Sequence, residues 1–415
     1  MGVIRTLLAL LVVFGHVLVA DPASRPYLGG GAVIAVHLFF VISGFYMALV
    51  LDQKYRTGPL PFYRARALRL YPLYFVTLAV TLLLDYWLIP DSFLATALRP
   101  NIEELISGHG RWFTAIAAFS NLTFLGLDYG NILCFDFASA SINAVANDSC
   151  RDIAGFTVVP QAWTLGTEIT FYLMIPFIFR LGWPAIIASL AIALAAKITL
   201  YASGMHHAPW DRMLFVVVLL YFMLGVAAYR IYATLRLPDL ARYWPAMAVT
   251  VAVMLFAYTV YPTAAVLLAV RNATGPVDIK AITASVSEPL TYLEPITVLL
   301  FVLSVPFLFH ASKDSGRDKS IGELSYPIYI THMTALVISA AFLRDVISIE
   351  SGYLRLLFHL SVVLTIAIAG SILVTIPMER IRRRGMPPAA IIRQQRDLHQ
   401  TVAGGEGQNA LASKP

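Results

Sequence analysis

Charge is scarce in this sequence. Of 415 residues only 13% are Asp, Glu, Lys or Arg, while 59% are hydrophobic; an ordinary soluble domain carries about 25% charged and about 45–50% apolar residues. That shortage excludes a chain with a fully solvated surface. Cysteine is scarcer still, with two in the chain, which leaves at most one internal disulfide. No cluster of His, Cys or carboxylates has metal-ligand spacing, so no metal is expected. The net charge of +6 sits in short basic clusters between apolar runs. In a chain of this kind such clusters report membrane topology, and no nucleic-acid partner is expected.

What is present is apolar length. Mean hydropathy is +0.74, and apolar segments fall near 3–20, 31–51, 71–89, 111–127, 160–179, 183–201, 213–232, 245–269, 295–311, 324–343 and 354–376. The fold class expected is an all-α polytopic membrane protein. The first run leads into no small-residue cleavage site and is not read as a cleavable signal. Basic clusters at Lys54–Arg69, Arg230–Arg242, Lys313–Lys319 and Arg380–Arg384 belong inside by the positive-inside rule.

Eleven crossings would put the two ends on opposite sides, so one segment must fail to span. The weakest is 111–127, which holds Ser120, Asn121 and Thr123 and is short for a core of about 30 Å. It is read as interfacial or re-entrant, leaving about ten spanning helices with N- and C-termini cytoplasmic. The membrane domain then covers 1–380, with 128–159 as an external loop and 381–415 as a largely disordered cytoplasmic tail. That loop holds Cys134 and Cys150, a candidate disulfide in an oxidising compartment. The Asn-x-Ser/Thr sites at Asn121, Asn147 and Asn272 also fall outside.

Ionisable groups inside spans are costly and mark sites or partners. Arg5 and His16 bound the stretch "RTLLALLVVFGH" and share one helix stripe about 16 Å apart along the axis. His16, His37 and Glu168 are expected in one layer in the outer half of the bilayer, and His332 near mid-depth. Imidazoles and a carboxylate converging in a wet cavity would suit acid–base chemistry. Arg5 could equally be a snorkelling anchor, and each His a satisfied core residue. Arg66 and Arg69, three apart, share a helix face at the cytoplasmic mouth, a placement suited to nucleotide phosphates. Ser43 and Tyr326 are further polar candidates, either substrate contacts or structural.

Several stretches together resemble the membrane-bound acyltransferase-3 family, which O-acylates cell-surface sugars. They are the Arg5/His16 pair, "FFVISGF" (Phe39–Phe45), Arg66 and Arg69 leading to Pro72 and Tyr74, "WTLGTEITFY" (Trp163–Tyr172) and "GELSYPIYITH" (Gly322–His332). The resemblance covers roughly residues 4 to 380. It implies an acyl-CoA donor served by Arg66 and Arg69, Arg5 and His16 essential to activity, and Glu168 in the conserved functional core; with acetyl-CoA as the simplest donor, His16 is the expected general base, and Arg5, His16 and Glu168 are the catalytic candidates. It implies a glycan or lipid-linked sugar acceptor, a bacterial inner membrane, and a stand-alone form with no appended esterase-like domain. His37 departs from the pattern, since many members carry an acidic residue there. The competing reading is a transporter or flippase of lipid-linked sugars.

Overall fold

The protein is described here by a computed structural model covering residues 1–21, 31–56, 58–107, 111–136, 139, 141–144, 150–205, 209–234, 240–272 and 279–384. The expected tail beyond Arg384 and the sequon at Asn147 lie outside the described residues.

The chain is built of helices α1 (Gly2–Ala20), α2 (Gly31–Gln53), α3 (Pro59–Leu83), α4 (Ala95–Ser107), α5 (Arg111–Thr123), α6 (Trp163–Leu181), α7 (Trp183–Ala202) and α8 (Phe215–Thr234). It continues with α9 (Leu240–Asn272), α10 (Ile279–Ser312), α11 (Gly316–Glu323), α12 (Ser325–Asp345), α13 (Gly352–Gly370) and α14 (Ile376–Arg384). Among the described residues, eight helical stretches are long and apolar enough to cross a membrane. The fold is that of an all-α polytopic membrane protein. α7 shows why: Ile187, Ile192, Leu194 and Ile198 are about half exposed on a helix apolar all round, which only lipid tolerates. α5, with 13 residues, is about 20 Å long and falls short of a crossing.

Two expectations are corrected. α3 begins at Pro59, not near 71, because Pro at the first helical position after Gly58 starts the helix early. The arginine-rich stretch is therefore its opening turns. The 128–159 segment is not plain loop: β1 (Leu133–Asp136) pairs antiparallel with both β2 (Ser141–Ala144) and β3 (Arg151–Asp152). A disulfide joins Cys134 to Cys150. Phe135 from β1 stacks on Phe113 of α5 at 4.5 Å and seats the small sheet on that helix. Asn121 is buried and structural, its amide bonded to the carbonyls of Ala117 and Phe156.

In lipid, apolar burial does little to bring helices together, so close backbone packing matters. α2 is central and packs on α8, α1, α6 and α10. A Cβ on Gly44 would lie 1.9 Å from the Phe222 carbonyl oxygen, and one on Gly225 would lie 2.0 Å from that of Val41. The two backbones touch. Phe171 of α6 stacks on Phe222 at 4.2 Å and ties a third helix to the pair. The glycine of "FFVISGF" is thus a packing residue. Gly322 plays the same part against Gly2, where α11 meets the start of α1.

Candidate active site

Three arginines converge at one end of the bundle. Arg5 comes from the first turns of α1, and Arg66 and Arg69 from α3, where a spacing of three puts them on one face. The guanidinium of Arg5 lies over the Tyr46 ring at 5.9 Å, and that of Arg66 over Phe62 at 5.7 Å. Arg5 is in electrostatic contact with Arg69, and Arg69 with Arg66. None of the three makes an ion pair among the described residues. Arg66 is only 5% exposed, and its Nε is buried without an acceptor. Lys54 and Arg382 add to the positive field around Arg66.

Glu168 borders this cluster without neutralising it. Its Oε1 accepts from Ser43 at 3.1 Å and its Oε2 from Tyr172 at 2.9 Å. Arg5 feels its charge beyond ion-pair distance. Tyr326 donates to the Leu70 carbonyl at 2.5 Å and so fastens α12 to α3.

Near the other end of α1, His16 meets His332 of α12, with ring centroids 5.0 Å apart. The Nδ1 of His16 lies 2.8 Å from the Val12 carbonyl, and that of His332 lies 2.6 Å from the Tyr329 carbonyl. A carbonyl only accepts, so in the neutral rings both protons reside on Nδ1 and both Nε2 atoms carry lone pairs. His332 is fully buried and its Nε2 has no partner. Next to it, Tyr329 bonds Thr164 at 2.8 Å, and Gln161 donates to the Ile330 carbonyl at 2.6 Å.

The expected single layer of His16, His37 and Glu168 does not form. Glu168 is tied to Ser43, and His37 stands six residues before Ser43 on α2. That spacing is about 9 Å of rise and 240° of turn, so the two positions face different neighbours. His37 bonds Glu294 of α10 at 3.0 Å and stacks on Tyr221 of α8 at 4.2 Å. Lys197 of α7 donates to Tyr221 at 2.5 Å and to Glu294 at 3.4 Å, which completes a self-satisfied network.

Another polar network, not anticipated from sequence, links Asp21 to Arg355 at 2.7 and 2.8 Å and to His359 at 3.0 Å. His359 bonds Ser339 at 2.6 Å. Partners such as Glu294 and Asp21 are hundreds of residues away in sequence, and no local signal marks them. Tyr172 was findable, since it sits four residues after Glu168 on the same helix face. Among the described residues, no group of three His, Cys, Asp or Glu is placed to hold a metal.

These features define a multi-pass membrane protein with a buried cation cluster at one end of its first helix and an imidazole pair toward the other. Residues 1–379 match the family of the acyltransferase domain, acyltransferase-3, and the chain belongs to that family. No curated protein and no solved structure matches it.

Proposed function

We propose that this acyltransferase moves an acyl group, acetyl in the simplest case, from cytoplasmic acyl-CoA to a hydroxyl of a cell-surface or lipid-linked glycan. With the basic clusters inside, ten crossings place both termini in the cytoplasm of a bacterial inner membrane. The arginine end of α1 then faces the donor and the imidazole end faces the acceptor. One observation carries the reading: Arg5, which with Arg66 and Arg69 forms a cluster free of ion pairs among the described residues, lies about 16 Å along α1 from a histidine whose free lone pair is the right form for a general base.

The phosphates of the donor are held by Arg66 and Arg69, with Arg5 between them and the thioester arm. Arg5 is too far from His16 to stabilise charge at the reacting carbonyl, so its role is to hold the donor. Glu168, fixed by Ser43 and Tyr172, keeps Arg5 in place through the field it supplies. The acceptor hydroxyl gives its proton to His16 Nε2 as its oxygen attacks the thioester carbon. The C–S bond breaks, and the departing thiolate takes that proton back. His332, whose Nε2 lone pair has no donor of its own, lies with its ring 5.0 Å from that of His16 and favours the imidazolium charge by its field while it lasts.

The test is release of free CoA by purified protein given acetyl-CoA and surface glycan. The wild type turns over and His16→Ala does not. A flippase would release no CoA and would need sealed vesicles to show any signal. CoA release by His16→Ala at the wild-type rate overturns the assignment. Mass analysis of surface glycans from a deletion strain then identifies the acceptor.

A further inference from the structure

Next to the arginine cluster lies a cavity of about 260 Å³ where α2, α6 and α8 end. It is lined by Asp52, Tyr55, Arg56, Phe179, Arg180 and Arg230 among others. Three of these are cations and one is an anion. Asp52 is already engaged, accepting from Arg56 at 3.0 Å and from Tyr229 at 2.7 Å. Arg180 is exposed, with no ion pair among the described residues. Arg230 lies with its guanidinium on the Phe179 ring at 3.8 Å and donates to the Phe179 carbonyl at 2.6 Å, yet its Nε is buried with no acceptor.

Arginines at helix C-termini are favourable in themselves, since the carbonyl ends carry partial negative charge. That accounts for their presence. It does not account for the cavity between them, the aromatic lining, or the donor left without an acceptor.

The cavity neighbours the candidate active site across a layer of packed rings. Tyr55 contacts Phe62 at 5.8 Å between ring centroids, and Phe62 contacts Tyr172 at 6.1 Å. Phe62 is also the ring beneath Arg66. On α6, Phe179, Tyr172 and Glu168 are spaced by seven and four residues, which sets them on one helix stripe. A ligand lying in the cavity is thus separated from Arg66 by the rings of Tyr55 and Phe62.

We propose that this cavity binds the phosphorylated nucleotide end of the donor, so that Arg56, Arg180 and Arg230 grip the 3′-phosphate and base while Arg66 and Arg69 hold the diphosphate nearer the thioester. This rests on the acyl-CoA reading above. Guanidinium planes stack on bases and pair bidentately with phosphate, and one here is already pre-set on an aromatic ring. The volume is just under the about 300 Å³ at which ligand pockets begin. It is too small for the whole donor. A lipid headgroup offers the same phosphate chemistry but no base to stack on an arginine.

The experiment measures binding, so it needs no acceptor. Purified full-length protein and the double variant Arg56→Ala/Arg180→Ala, both at exposed positions, are titrated with four probes: acetyl-CoA, S-acetyl-pantetheine, adenosine 3′,5′-bisphosphate and phosphatidylglycerol nanodiscs. The expected result is that the variant loses 10- to 100-fold in affinity for acetyl-CoA and for the bisphosphate and keeps its affinity for acetyl-pantetheine. Equal affinities in the two proteins overturn the proposal. So does a variant that keeps acetyl-CoA affinity but no longer responds to phosphatidylglycerol nanodiscs, which would make the cavity a lipid site. If the wild type binds acetyl-pantetheine but not the bisphosphate, the nucleotide site fails while the donor reading survives. If the wild type binds neither acetyl-CoA nor acetyl-pantetheine, both fail together.

Discussion

Gly44 of α2 lies directly beneath the carbonyl of Phe222 on α8, so close that a single added carbon would come within 1.9 Å of the carbonyl oxygen. The reciprocal contact of Gly225 with Val41 doubles the constraint. Gly44→Leu therefore cannot be accommodated by rotating a side chain, because the obstacle is backbone. The expected outcome is loss of monodisperse protein in detergent, seen by size exclusion, with Gly44→Ala less severe than Leu. A Leu variant that purifies and melts like the wild type would show that the two helices are not in backbone contact.

Arg66 illustrates a trade between stability and function. Its guanidinium is almost fully buried with one donor unsatisfied, a cost of about 1–3 kcal/mol. Arg66→Met removes that cost and keeps the apolar stem. The expected result is a melting temperature equal to or above wild type, with donor affinity lower by about 10- to 100-fold, the worth of one or two charge-assisted hydrogen bonds. Thermal unfolding and acetyl-CoA titration on the same preparation check both halves.

For His332 the informative comparison is Leu against Gln. Leu fills the space but brings no lone pair near the His16 imidazolium, whereas Gln keeps one. CoA release should fall at least about tenfold in His332→Leu, in kcat and not in KM, and recover in part in His332→Gln. The Leu variant should melt no lower than wild type, because it replaces an unpartnered buried polar atom. Equal loss in both variants would reduce His332 to a packing residue.

Asp128 gives a pH-dependent signature outside the spans. It is 1% exposed, its side-chain oxygens have no hydrogen-bond partner, and burial pushes its carboxyl up to about 6. Because the folded form holds its proton more tightly than the unfolded one, the native state is favoured at acid pH. That advantage fades as pH rises from about 4 through 6. Asp128→Asn mimics the protonated form. It should stabilise the protein by about 1–3 kcal/mol at pH 8 and by nothing measurable at pH 4, read as melting temperature against pH. A gain that does not depend on pH would show that burial leaves the Asp128 carboxyl at its unfolded value.

Much of the candidate site is legible in the sequence. Arg5, His16, Arg66, Arg69, Glu168 and His332 stand out because each is an ionisable group in an apolar run, where the cost of burial demands a reason. The disulfide between Cys134 and Cys150 is legible from count and placement, and α5 from its shortness. Less legible is what each motif residue is for. Gly44 and Gly322 belong to motifs that point to chemistry, yet they are there to let backbones touch. Tyr326 serves to fasten two helices.

Composition and apolar run length alone determined that this chain is an all-α membrane protein, because lipid admits few other ways to satisfy a backbone. Helical spacing along α1 determined that Arg5 and His16 share a stripe at opposite ends. Tertiary structure alone decided which side chains meet. His16 found His332 rather than Glu168, and His37 went to Glu294, because azimuth and packing between helices set those encounters. A one-dimensional pattern carries depth along each helix but not the direction in which its neighbours lie.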